Sequence, residues 1–312
     1  MAESRRTRDY LVATSRDQVR RDRVRAPRAA RHRGAGEAEN FSSSFTALGS
    51  LAYDGAQVSA SVIDLVAGKN LLSVDDRIVL PTASVGKILL LIEVSARLTA
   101  RDFSGYGILD KTPRDAVSDS GLWQHLQAPA LPVADLGALV GATSDNLATN
   151  VLLRQVGLDA VRSRTESLGL ARTALLDLVR DRRGPDDAPQ LSVGSTAELS
   201  WLFGALYRGQ VVDQVTSQRV MGWLSLNTDL SMVASAFGLD PLSHRTVDHG
   251  IQLVNKTGSD LGVRSEAGIL RGPRTAVSYA VTVQFRDDSL TRRLRALEAM
   301  RTIGYDLLEY VS

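Results

Sequence analysis

The stretch PTASVGK, residues 81–87, puts a lysine three positions after a serine in a chain that scarcely uses lysine. Of 37 basic residues only Lys69, Lys87, Lys111 and Lys256 are lysines; all the others are arginine. The residues that follow Lys87 are apolar nearly all round, so 84–99 reads as a buried helix rather than an amphipathic one. Helical positions three apart share a face, which sets the Lys87 amine beside the Ser84 hydroxyl. A serine is a poor nucleophile until a base takes its proton. A buried lysine can be that base, because burial disfavours its charged form. Arginine stays protonated and cannot. Taken alone, the same residues also read as a serine N-cap with a solvated lysine behind it.

Two further stretches change that balance. GATSDNLATN, residues 141–150, offers Ser144 as a hydroxyl able to relay a proton and Asn146 as an amide able to hold a substrate. By itself it is a polar turn or a helix start. IQLVNKTG, residues 251–258, ends an apolar run in Lys256, Thr257 and Gly258. A cation, a hydroxyl and a residue without a side chain suit an anionic ligand lying against the backbone, although a strand ending in a glycine turn looks the same. S-x-x-K, S-D-N and K-T-G in this order form the signature of class A β-lactamases and penicillin-binding proteins. The chain thus resembles the penicillin-recognising serine hydrolases, and class A β-lactamases in particular. SDNLATN is similar to the wider family pattern S-D-N-x-A-x-N, including Asn150, and the resemblance covers residues 41–312.

Composition is that of an ordinary globular protein, and a formal charge of +2 gives no argument for nucleic acid or membrane as partner. Cysteine is absent, which removes disulfides, zinc–thiolate sites and cysteine nucleophiles. No apolar run is long enough to span a membrane. The histidines (His32, His125, His244 and His249) match no ligand spacing, so neither a metal nor a cofactor is expected. Residues 1–40 are different: from Ser4 onward they carry 11 arginines and five acids, with almost no apolar periodicity. They read as a disordered tail or an over-extended start rather than as an arm for nucleic acid or anionic lipid. No apolar segment follows the charges as in a secretory signal, so a cytoplasmic location is expected, or secretion if the true start differs.

Along the rest of the chain, residues 41–51 are helical in pattern, two β-branched runs flank a turn at 67–70, and most of 130–225 is helical. Strands return at 251–258, 264–272 and 276–285, and a final helix closes the chain. The expected fold is α+β: an antiparallel sheet built from both chain ends, flanked by helices, with an inserted all-helical region. Residues 41–80 and 220–312 would form the sheet subdomain and 81–219 the helical one.

The resemblance implies a role for each motif residue. Ser84 would be acylated by a lactam or peptide carbonyl, with Lys87 taking its proton. Ser144 would pass a proton to the departing nitrogen, and Lys256 would tune it and attract the substrate carboxylate. Asn146 would bind the substrate's side-chain amide, Thr257 the carboxylate, and Gly258 would let the substrate backbone approach. The backbone N–H groups of Ser84 and Ser259 would form the oxyanion hole, whose donors are each worth roughly 10²–10³ in rate. Arg264 would supplement Lys256 against a carboxylate, its alternative being a solvated strand arginine. Trp123 is a candidate for the cleft wall, although core packing fits it better, as it does Trp201 and Trp223.

One family feature is missing. Class A enzymes carry a deacylating glutamate three residues after a Leu-Asp pair in a long loop. Here Leu176-Asp177 supplies the pair, counting on puts Arg180 at the glutamate position, and no glutamate occurs between Glu166 and Glu198. Asp181 is one step away and shorter by a methylene. The expectation is a monomeric serine hydrolase whose partner is a small β-lactam or an acyl-peptide or ester. Its acyl group leaves slowly, stays trapped, or passes to another nucleophile; a cytoplasmic esterase, amidase or acyltransferase is the alternative, and a sensor module that kept the fold is a further one.

Overall fold

The computed structural model describes residues 41–118, 120–247, 249–286 and 289–312; the arginine-rich arm, residues 1–40, lies outside the described residues. The described chain opens with α1 (Ser42–Tyr53), then the hairpin β1 (Gln57–Asp64) and β2 (Asn70–Val74). Asp64 shapes the hairpin turn by accepting the N–H groups of Val66 and Ala67, both at 2.8 Å. β3 (Leu80–Pro81) runs into a 3₁₀ turn, Ala83–Gly86, which continues as α2 (Lys87–Ala100). The helical region then comprises β4 (Ile108–Asp110), β5 (Ala130–Pro132), α3 (Val133–Thr143), α4 (Asn146–Val156) and α5 (Leu158–Ser167). After β6 (Ala174–Leu175), the long loop, β7 (Ser192–Gly194), α6 (Thr196–Tyr207) and α7 (Gln214–Leu224), the chain returns to the sheet. It finishes as β8 (Gln252–Asp260), β9 (Val263–Arg271), β10 (Ala276–Gln284) and α8 (Leu290–Val311).

The main sheet is antiparallel, in the order β2-β1-β10-β9-β8. β1 pairs with β10 from Gln57↔Gln284 to Asp64↔Val277, so the first strand sits beside the last. One face carries Tyr279, Val281 and Val283 into a core shared with Leu48 of α1 and Met300 and Ile303 of α8. The other carries Val254, Ala267, Ile269 and Ala280 into a core shared with α2, α4, α6 and α7. This is the α+β layout expected from the sequence. β9 and β10 are buried on both faces, and an unbroken run of α2 from Lys87 to Ala96 is buried too, because helices surround it. That explains why α2 is apolar all round.

Two differences from the sequence reading stand out. The inserted region is not purely helical, since β3-β7-β6 and β4-β5 form small sheets whose strands of two or three residues are too short to show a period. Trp201, read as core, is 43% exposed: α6 buries Leu199, Leu202, Phe203 and Leu206 on its inner side and turns Trp201 to solvent. Trp223 does pack inward. A Cβ on Gly137 would lie 2.7 Å from its ring and one on Gly141 2.3 Å from its carbonyl oxygen, so α3 can approach α7 only because both positions are glycine.

Candidate active site

Ser84 sits half-buried in the 3₁₀ turn, and the backbone N–H of Lys87 bonds its carbonyl. The turn is fastened to β7: the Ser192 hydroxyl donates to the Ala83 carbonyl at 2.6 Å and meets the Thr82 hydroxyl at 2.8 Å. A Cβ on Gly86 would lie 2.2 Å from that of Ser192, so only glycine lets the turn seat. Ala83 is held at φ 46° and Ser144 at φ 55°, a conformation L-residues rarely adopt. Such strain persists only where surrounding structure enforces it, and it collects at functional sites.

The S-D-N segment lies where α3 ends and α4 begins. Lys87, wholly buried, donates from Nζ to the Ser144 carbonyl and to Asn146 Oδ1, both at 2.6 Å, and reaches Ser144 Oγ at 3.3 Å. Lys256, equally buried on β8, donates to the same Ser144 Oγ at 3.1 Å and to the Thr257 carbonyl at 2.8 Å. One hydroxyl therefore lies between two buried amines. Burial, reinforced by the nearby Lys256 charge, holds the Lys87 amine well below the usual lysine range, against the opposing pull of Asp145. Burial likewise brings Lys256 down to about 8, against the pull of Asp229.

Gly258 meets the 3₁₀ turn that carries Ser84. A Cβ there would lie 2.2 Å from the Thr82 carbonyl oxygen and 3.0 Å from the Ser84 and Val85 nitrogens. Ser84, Asn146, Ser118, Arg180, Asp181 and Ser259 are among the residues around a cleft of 530 Å³. A larger cavity of 710 Å³ lies between Leu98, Phe103, Tyr106 and Trp223. None of the three motifs reaches it, so chemistry rather than volume selects the site. Among the described residues no group of three His, Asp or Glu side chains is placed to hold a metal.

Other candidates sit differently. Thr257 is only 4% exposed, and strand alternation puts it on the face of β8 opposite Lys256 and Gly258. Arg264, paired with Ser259, turns its guanidinium onto the carbonyls of Asp260 at 2.8 Å and Val263 at 2.6 Å. Trp123 is wholly buried, with its indole N–H on the Ala128 carbonyl at 3.0 Å; it belongs to the core and not to the cleft wall. Asp145 was missed as a site residue. One oxygen caps α4 at the Ala148 N–H, and the other accepts from Leu122 and Trp123, which makes it the buried anion beside Lys87. An N-cap aspartate ahead of the LATN helix is the signal that was available.

The long loop, residues 176–191, is braced by Asn150, whose amide accepts from the Val179 N–H at 2.9 Å and donates to the Val179 carbonyl at 3.0 Å. Arg180 follows and pairs with Asp177 at 3.0 Å and Asp187 at 3.1 Å, while Arg183 reaches Asp177 at 2.8 Å. Asp181 accepts from the Ser118 N–H at 2.9 Å and hydroxyl at 2.7 Å. Ser118 in turn accepts the Asn146 amide at 3.2 Å, so Asp181 is linked back to Lys87 through Asn146.

No functionally curated protein sequence is significantly similar to this chain. Many solved structures share its fold. The β-lactamase from Sphaerobacter thermophilus superposes with a TM-score of 0.75 at 24% identity, covering 87% of this chain and 97% of that one. PBP-A does so at 0.73 with 16% identity, covering 86% and 95%. A class A β-lactamase from Mycobacterium abscessus gives 0.70 at 17% identity, covering 86% and 98%. At these identities they establish the fold alone. Membership follows from the sequence itself: residues 40–311 match the model of the beta-lactamase enzyme family, and the chain belongs to that family.

Proposed function

We propose that the chain opens β-lactams through an acyl-enzyme on Ser84. The observation that carries this reading is the Ser144 hydroxyl between Lys87 and Lys256, because it gives the reaction a proton path. Neutral Lys87 takes the Ser84 proton, and Ser84 Oγ bonds to the lactam carbonyl carbon. The oxyanion forms against the backbone N–H groups of Ser84 and Ser259. As the C–N bond breaks, Ser144 gives its proton to the nitrogen and regains one from the lysine side. Lys256, protonated, draws the substrate carboxylate, and Asn146 holds the acyl side-chain amide. To release the acyl group, Asp181 takes a proton from water as hydroxide attacks the ester carbon; the bond to Ser84 Oγ then breaks, and that oxygen takes the proton back as the free acid leaves.

The test is incubation with benzylpenicillin, followed by intact mass. The wild type gains one penicilloyl adduct, Ser84→Ala gains none, and absence of an adduct at high ligand overturns the reading. A second reading, an acyl-trapping penicillin-binding protein, is favoured by the loop, where Arg180 replaces a glutamate and Asp181 is already bound by Ser118. With a chromogenic cephalosporin, a stoichiometric burst without steady turnover selects it; continued turnover selects the hydrolase.

A further inference from the structure

Behind β8, on the face away from the cleft, lies a carboxyl group that the reaction above does not use. Glu266 is wholly buried on β9, opposite Thr257 in the strand register. Its Oε1 accepts from the Tyr279 hydroxyl at 2.6 Å and from the Asn255 amide at 2.8 Å, and its Oε2 accepts the Ala234 N–H at 3.3 Å. No ion pair among the described residues compensates it. An uncompensated buried carboxyl is costly and rare. Burial pushes its pKa up to about 7, with the Asp229 charge adding to the rise and its three donors opposing it. A Cβ on Gly268 would lie 2.9 Å from both Asn255 Cβ and the Tyr279 oxygen, so a glycine is what leaves room for the cluster.

The connections run toward the site. Asn255 immediately precedes Lys256. With its amide N–H on Glu266, its Oδ1 is free to accept from Asn227 at 2.9 Å. Asn227 closes on Asp229, donating to its carbonyl at 3.2 Å and accepting its N–H at 3.3 Å. Asp229 is the anion that opposes the loss of charge from Lys256. We propose that Glu266 is a positioning residue for Lys256, acting through Asn255 and Asn227 on the segment that carries Asp229. Its acceptor oxygen fixes which way the Asn255 amide faces, and that orientation fixes Asn227 and the segment behind it. Tyr279 of β10 and Asp229 are the titratable groups acting on Glu266; α8 and the 233–236 turn bring apolar side chains, together with the Ala234 N–H, to this core.

The inference rests on the reading of Lys256 as a site residue, but its test does not need turnover. With four lysines in the chain, Lys256 can be followed by NMR of ¹³Cε-labelled lysine and assigned with Lys256→Gln. In the wild type the Lys256 titration is expected at about 8, where burial brings it. In Glu266→Leu, which has no acceptor for the Asn255 amide, and in Asn227→Ala where Glu266 is untouched, the titration falls by about one pH unit. The upper pH limit of penicillin acylation falls with it, and the apparent affinity for penicillin at pH 8 drops more than the acylation rate constant. An unmoved Lys256 titration in folded Glu266→Leu overturns the proposal. If that variant does not fold, an unmoved titration in Asn227→Ala does so. A shifted Lys256 in a chain that penicillin never acylates supports the positioning role and counts against the functional reading instead.

Discussion

At the scale of single residues, the site depends on side chains with few substitutes. In the proposed mechanism Lys87→Arg puts a fixed charge where a neutral base is needed, since guanidinium does not give up its proton at accessible pH. The adduct-forming rate with benzylpenicillin is expected to fall by about 10²–10⁴, the usual worth of a positioned general base, while far-UV circular dichroism stays native. The two amines also fix a pH profile. Acylation rises as Lys87 loses its proton, a step that burial moves well below the usual lysine range, and declines above about 8 as Lys256 loses the charge that draws a carboxylate. Stopped-flow acylation across pH should give a bell whose alkaline limb disappears in Lys256→Gln. These lysines were legible in the sequence because arginine cannot replace them. Asp145 and Glu266 were not, because what matters about them is burial and partners, and a one-letter code shows neither.

At the scale of elements, the long loop and the turn that carries Ser84 are held from outside themselves. Val179 is fixed at both its N–H and its carbonyl by Asn150, an α4 side chain that is 5% exposed. Removing that amide leaves part-buried backbone groups unpaired, at up to about 1–3 kcal/mol. Asn150→Ala should therefore lower the urea midpoint, speed amide exchange at residues 177–183, and reduce cephalosporin turnover more than adduct formation, because Asp181 rides on the loop. Equal loss of both steps would count against a deacylation role for Asp181. Long periodic elements such as α2, α8 and β8 to β10 were readable from their apolar spacing. β3, β6 and β7 were not, since two or three residues carry no period and their pairing is decided by Ser192 hydroxyl bonds and the Gly86 contact. Trp201 was misread for a related reason: residue type gives a tendency to burial, whereas the face of α6 decides it.

At the scale of the whole molecule, titration of the buried groups couples the site to stability. The Glu266 carboxyl is raised from 4.5 to about 7 on folding, so the folded chain binds more protons than the unfolded one between those values. Its contribution is fully present below the lower value and is lost as pH rises through the upper one. Thermal midpoints of the wild type should fall between about pH 5 and about pH 8 by more than those of Glu266→Gln, which has no such proton to lose. A wild-type slope no steeper than the variant's would contradict this. The pairing of β1 with β10 acts on another timescale. On the ribosome β1 emerges first and must wait for the last strand before it acquires its central neighbour, while α2 to α7 can already pack together. Ser84, Lys87 and Ser144 come from that early part and Lys256 from the late one, so a nascent chain carries three of the motif residues long before the fourth joins them. Until then the chain exposes an unpaired strand edge, which makes the interval before β10 emerges its period of greatest vulnerability to misassembly.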